Sequence, residues 1–496
     1  MTKKPLNVLL IMTDQQRADF CAREGYAVDT TPFEDALAES GVWFNKAYTS
    51  APLCLPARVT LMTGRYPSAA HAKTNYNAND VFYTKDLFDV MRENGYYTAL
   101  FGKNHSHVTQ EKADVWEEYT HTGPKNTDSE QQRAFNDCLT AARYHKLTMT
   151  ATPYPAQAQN PYQIVSKATQ WMDGIDEKRP FFAWVSFPEP HNPYQVSEPY
   201  FSMFTPENIP VNKTTAKDLP KKGFKFQWNY QGFTSAFVNY DEGFDRTRAN
   251  YHGMLRLIDD QVKRLVEYIR DRGWLDNTLI VYTSDHGDFV GEYGLIRKGP
   301  EVPEVLCRIP MIFAGAGLHG GLCKDRFVSI ADVMPTLCEA IGAPIPEGVQ
   351  GRSLWPLLHG EPVSEKEFET AYVEQGFGGL HYDGTEDFDP QQDGFKPGWT
   401  YDCLNSRTQS GVMRMVRRGD WKLVLDMQQK GQLYNLADDP YELNNLYGDE
   451  RYLKIQMQLL EDMNGWQMRT MDSLPETGMR YRIKKAEHNY WFSNET

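Results

Sequence analysis

Five short polar clusters in this chain carry groups able to handle a cation and an anion together. They are Asp14-Gln15, Cys54-Leu55-Pro56-Ala57-Arg58, Gly102-Lys103-Asn104-His105, Pro188-Glu189-Pro190-His191-Asn192-Pro193 and Ser284-Asp285-His286-Gly287-Asp288. Carboxylate and amide oxygens of the Asp14-Gln15 kind suit a hard divalent cation. Lys and Arg side chains such as Lys103 and Arg58 neutralise a tetrahedral oxyanion. A histidine at the mouth of a site can protonate a leaving oxygen. Cys54 stands where a helix-like stretch through Arg65 begins, and a helix N-terminus favours negative charge. Each cluster alone has a plainer reading. An Asp at a strand end caps a helix, a buried Cys packs as a small hydrophobe, and Pro56 starts a helix. The weight lies in the combination, because four of the five clusters directly follow apolar runs.

Those runs are the elements that must position the clusters. Asn7–Thr13 is almost continuously apolar, as a strand buried on both faces should be. Similar runs occur at Tyr97–Phe101, Phe181–Val185, Leu279–Tyr282 and Met311–Ala314. Helical spacing lies between them, most clearly from about Arg248 to Arg272, where Leu255, Ile258, Val262, Leu265 and Ile269 recur and Gly273 supplies a stop. Strands alternating with helices predict an α/β fold with a large, mixed, mainly parallel sheet covered on both faces. In such sheets a site forms beyond the C-terminal strand ends. Further on the pattern changes. Val412–Arg418, Gly419-Asp420 and Trp421–Leu425 read as a hairpin with one wet face, followed by a helix from about Glu450 to Met471. The expected organisation is a catalytic domain over 1–365 and a smaller C-terminal subdomain over 366–496, with an antiparallel sheet and a helix, that contributes to the substrate pocket. Long Gly-, Pro- and aromatic-rich insertions near 104–160, 192–247 and 376–410 are expected to be functional or disordered loops.

Composition excludes several functions. The 496 residues carry 52 Lys+Arg against 66 Asp+Glu, a net charge of −14. A generally basic nucleic-acid binder is ruled out on that balance. Seven scattered cysteines with no C-x-x-C pair argue against a disulfide scaffold or a structural zinc site. No run approaches the eighteen or so apolar residues of a membrane span. With no signal peptide apparent, a cytoplasmic location is expected, or a periplasmic one if a leader was removed.

Cys54-x-Pro56-x-Arg58 followed by Leu61-x-Thr63-Gly64-Arg65 resembles the signature of type I sulfatases in the alkaline phosphatase superfamily. Other segments match that family in order. Asn7–Asp14 resembles its opening strand and metal aspartate, Gly102-Lys103-x-His105 its G-K-x-H segment, and Pro190-His191 its P-H-x-P. Asp285-His286-Gly287 resembles its second metal segment, with Lys298 following. Leu433–Leu436 through Asn445-Leu446 resembles its C-terminal motif. The resemblance implies that a maturation enzyme oxidises Cys54 to formylglycine, whose hydrate attacks sulfur. It implies a Ca²⁺ or Mg²⁺ held by Asp14, Gln15, Asp285, His286 and the modified Cys54. It implies that Arg58 and His105 orient the diol, that Lys103 and Lys298 clamp sulfate oxygens, and that His191 is the general acid for the leaving alcohol.

Two positions depart from the commoner family pattern. Gln15 stands where many relatives have a second Asp, and His286 where many have Asn. Both replacements can coordinate, through a carbonyl oxygen and a ring nitrogen. Phosphonate monoester hydrolases of the superfamily tolerate Asp-His, so a phosphonate monoester or phosphodiester hydrolase is the alternative reading, beside an arylsulfatase. A sulfated sugar is the expected substrate, ahead of an aryl or alkyl sulfate. The basis is the loops rich in amides, aromatics and glycine at 75–80 and 376–382, which suit sugar hydroxyls.

Overall fold

The computed structural model describes residues 5–125, 127, 129–144, 146–323, 325–378, 382–386, 410–471 and 486–492. Most of the 376–410 insertion, including residues 379–381 of the loop at 376–382, lies outside the described residues, as does Cys403.

Among the described residues the largest element is a nine-stranded sheet. Its strands are β1 (Asn7–Asp14), β2 (Val42–Phe44), β4 (Tyr97–Gly102), β5 (Val115–Thr120), β6 (Gly123–Pro124), β7 (Phe181–Pro190), β8 (Thr278–Ser284), β9 (Met311–Gly315) and β10 (Gly321–Cys323). The order is β10-β2-β9-β8-β1-β7-β4-β5-β6, and β8, β1, β7, β4 and β5 run parallel. The Met311–Ala314 run joins antiparallel to β8, so the sheet is mixed at that side.

Both faces of the central strands are packed, which is why they read as unbroken apolar runs. Leu10, Met12, Trp184, Leu100 and Val281 face Leu61 and Met62 of one helix. Leu9, Ile11, Val185, Phe101 and Ile280 face Ile164, Ile258, Val262 and Leu265 of two others. Numbered in chain order these helices are α1 (Cys54–Thr63), α2 (Asn160–Asp173) and α3 (Tyr240–Asp271). α3 begins eight residues before the expected Arg248. Its first turn carries Asp241 and Glu242, which suit a helix start but break the apolar pattern. The insertions expected as loops also contain helices, at Glu130–Tyr144 and Phe224–Ala236.

A second, four-stranded antiparallel sheet is formed by β12 (Thr370–Gln375), β13 (Met413–Arg418), β14 (Trp421–Asp426) and β15 (Gly431–Asn435), with α4 (Leu453–Thr470) across it. β13 and β14 are the expected hairpin about Gly419-Asp420. This sheet is bonded to loops that flank the nine-stranded sheet. Glu374 N donates to Ser50 O, and Gln375 Nε2 donates to Gly299 O. It is also clamped by charge. Arg417 of β13 and Tyr48 of the short strand β3 (Ala47–Tyr48), which pairs in parallel with β11 (Val328–Ser329), both donate to Glu304 Oε1, and Lys422 of β14 reaches Glu304 Oε2 at 3.4 Å.

Burial pushes the Glu304 carboxyl up, but Arg417 and Lys422 outweigh it and lower it from 4.5 to about 2. A carboxyl depressed in the folded state stabilises fully above its unfolded value and loses that contribution as pH falls through the folded value. At about 1.4 kcal/mol per pH unit, Glu304→Gln is expected to cost about 3 kcal/mol at pH 7. The deficit should shrink between pH 4.5 and 2. Urea unfolding at pH 7 and pH 3 checks this, and an equal deficit at both contradicts it.

Candidate active site

The strand ends and the start of α1 meet at one buried point. Leu53 is extended, so the helix opens abruptly and Cys54 becomes its first residue. Asn75 Oδ1 accepts from Leu55 N at 3.1 Å, satisfying one of the free N–H groups of the first turn. The whole of α1 is buried, and Cys54 is 1 % exposed. Gly64 ends the helix at φ 63°, a left-handed position that glycine takes without penalty.

Arg58 lies one turn after Cys54 and therefore on the same face. Its guanidinium spans two carboxylates, with Nε 2.9 Å from Asp285 Oδ2 and Nη2 3.2 Å from Asp14 Oδ2. Nη1 donates to Ser186 Oγ at 2.8 Å and Lys103 O at 3.0 Å. Lys103 Nζ shares Asp14 Oδ2. Arg58 thus ties together β1, β8, β4 and β7 rather than touching Cys54 itself. All of these charged groups are buried and paired, as low-dielectric surroundings require.

Asp14, Cys54, Asp285 and His286 present ligand atoms within 4.8 Å of one another. His286 Nδ1 lies 2.8 Å from Gly287 O, which only accepts, so the proton sits on Nδ1. Its Nε2 faces Cys54 Sγ at 3.3 Å, and Asp14 Oδ1 is 3.7 Å from the same sulfur. Two carboxylates and an imidazole fixed in a ligating tautomer fit a divalent metal. Gln15 follows Asp14 at φ 73°, and its main-chain N donates to Asp285 Oδ1 at 2.9 Å. Its Nε2 donates to Asp288 Oδ2 at 2.5 Å, and its Oε1 accepts from Lys298 Nζ at 3.2 Å.

The charges shift one another strongly. Burial pushes Asp14 up, but Lys103 and Arg58 hold it well below the carboxylate range. Burial and Asp14 together raise Asp285 despite His286 and Arg58. Burial and Asp14 push the Cys54 thiol up, yet Lys103, Lys298 and His286 bring it well below its ordinary value. Burial opposes protonation of His286, which Asp285 and Cys54 nonetheless raise. The point occupied by Cys54 is therefore one where an anion is welcome.

Beside the groups that could hold a metal stands a wall of lysines and histidines. Lys298 Nζ is 3.1 Å from His191 Nε2. Lys103 Nζ is 3.1 Å from Nε2 of His121, a residue absent from the expected set. His121 follows β5, but that strand reads Val-Trp-Glu-Glu-Tyr-Thr, too polar to mark as one. Asp288 and Tyr194, which join at 2.5 Å behind Gln15, were not singled out as site residues either. His105 is placed differently from the rest. Its Nε2 lies 3.3 Å from Asn75 O, so it backs the loop that supports the start of α1.

The family model described as Sulfatase matches residues 6–343. The multifunctional alkaline phosphatase superfamily protein PehA of Trinickia caryophylli is 28% identical, over 95% of this chain and 96% of that protein. The crystal structure of the phosphonate monoester hydrolase of Agrobacterium radiobacter superposes with a TM-score of 0.76 at 23% identity, covering 94% of this chain and 96% of that one. The structure of a 2-O GAG sulfatase does so with a TM-score of 0.70 at 20% identity, covering 94% and 93%. The site built around Cys54 lies wholly within the matched residues, and the chain belongs to the sulfatase family of hydrolases, in the alkaline phosphatase superfamily.

Proposed function

We propose that the protein hydrolyses sulfate esters of a sugar, using a formylglycine made from Cys54. The observation that carries this reading is the convergence on Cys54 of Asp14, Asp285 and His286 from one side and Lys298 from the other. A thiol attacking sulfur would leave a stable S-sulfo product. A hydrated aldehyde can attack through one hydroxyl and then lose the proton of the other, restoring C=O and expelling sulfate. A divalent ion would be held by Asp14, Gln15, Asp285 and His286 with the modified Cys54, and would supply positive charge that eases deprotonation of the attacking hydroxyl.

The remaining work belongs to the chain. Lys103 and Lys298 grip non-bridging oxygens and meet the charge that grows on them. Arg58 keeps Asp14 and Asp285 at a fixed separation. His191, buried and facing Lys298, is held well below its ordinary value by burial, His121 and Lys298. It shares the Lys298 proton, which the departing alkoxide takes. His105 steadies Asn75 and, through it, the first turn of α1.

A second reading, hydrolysis of phosphonate monoesters or phosphodiesters, is favoured by one fact. The phosphonate monoester hydrolase superposes with a TM-score of 0.76, against 0.70 for the 2-O GAG sulfatase. Both substrate classes carry one negative charge, so the charge of the wall does not separate them. Sulfated mono- and oligosaccharides, 4-nitrophenyl sulfate and a phenyl phosphonate ester should be assayed side by side. Inorganic sulfate release is expected to be fastest from a sulfated sugar. Turnover of the aryl sulfate alone overturns the sugar assignment, and turnover of the phosphonate alone overturns sulfate.

A further inference from the structure

The wall beside the groups that could hold a metal is built as two matched pairs. In each, a lysine ammonium meets an imidazole Nε2 at 3.1 Å. In each, the imidazole Nδ1 faces a main-chain carbonyl: Asn192 O at 2.8 Å for His191 and Pro188 O at 3.3 Å for His121. A carbonyl only accepts and an ammonium only donates. Both rings are therefore neutral, with hydrogen on Nδ1 and a lone pair on Nε2. The rings stack with centroids 3.8 Å apart and planes 16° apart. His121 thus touches both halves of the anion grip, His191 by its face and Lys103 by its edge.

We propose that His121 is a positioning residue that sets the pose of His191 and aims the Lys103 ammonium. The inference rests on the roles given above to His191 and Lys103. Lys103 Nζ is shared between Asp14 Oδ2 and His121 Nε2. The His121 lone pair pulls the ammonium away from Asp14, toward the wall. Stacking fixes the plane of the His191 ring, whose Nε2 accepts from Lys298 Nζ. Misplacing such groups by about 1 Å costs up to about 100-fold in rate.

The two contacts can be removed separately. His121→Gln keeps an acceptor for Lys103 and loses the stack, whereas His121→Phe keeps the stack and loses the acceptor. Both are assayed against an alkyl or sugar sulfate, which needs its leaving oxygen protonated, and against 4-nitrophenyl sulfate, which needs little help. For His121→Gln the expected result is a loss of kcat of about 10- to 100-fold on the poor leaving group and under about 3-fold on nitrophenol. For His121→Phe it is a rise in KM of about 10-fold on both esters, with the ratio of their kcat values kept. Thermal unfolding confirms that each variant is folded. Equal losses on both esters in both variants, or wild-type behaviour in both, overturn the proposal. If the unaltered enzyme cleaves only phosphonate esters, the sulfate reading fails by itself. The same variants on phosphonate esters of good and poor leaving groups then decide the role of His121.

Discussion

Cys54→Ala is expected to abolish ester hydrolysis while leaving a folded protein. Removing a nucleophile that acts as a unit with its neighbours costs on the order of 10⁴- to 10⁶-fold in kcat. The fold should tolerate the change, because alanine is a good helix former and only one sulfur atom leaves a buried helix start. Sulfate release and thermal unfolding measured on the same preparation check both halves. Turnover above about 1% of the unaltered enzyme would sink the formylglycine mechanism. Intact mass gives an independent reading, since conversion of the thiol to the aldehyde makes the chain lighter.

Arg58→Met should fail differently, by loss of stability as well as activity. Arg58 is fully buried between Asp14 and Asp285, with Lys103 shared on Asp14. Removing one partner from a buried charge network leaves uncompensated charge and typically costs about 3–5 kcal/mol. Arg58→Lys keeps the charge but not the planar fork that spans two carboxylates, so its cost should be intermediate. Urea unfolding in chelator measures the charge network alone, and repeating it with Ca²⁺ shows how far a cation replaces the guanidinium. A methionine variant within about 1 kcal/mol of the parent shows that the carboxylates are held by something other than Arg58.

Much of the site was legible because its strands are buried on both faces. β1, β4, β7 and β8 announce themselves as apolar runs, and their C-terminal ends deliver Asp14, Lys103, His191 and Asp285. Cys54 and Arg58 were legible from a motif whose four-residue spacing is one helical turn. His121 was not, because β5 lies next to the sheet edge and its residues are mostly half-buried, so its composition is polar. The carboxylate bridge made by Arg58 was not legible either. Its position says that it faces the site, and only the folded geometry shows that it bridges two carboxylates 271 residues apart in sequence, Asp14 and Asp285. The helix at Phe224–Ala236 escaped detection because its aromatics do not form one clean stripe; Phe226, Trp228 and Phe233 are all buried.

The burial of Cys54 also sets a clock. The sulfur meets His286 across 232 residues of chain. A ribosome adding roughly 5–20 residues per second needs about 12–46 s to cover that distance. Until β8 exists and docks beside β1, Asp285 and His286 cannot close over the cysteine. If Cys54 is oxidised as proposed, the side chain is most accessible during that interval, which slow synthesis lengthens and folding ends.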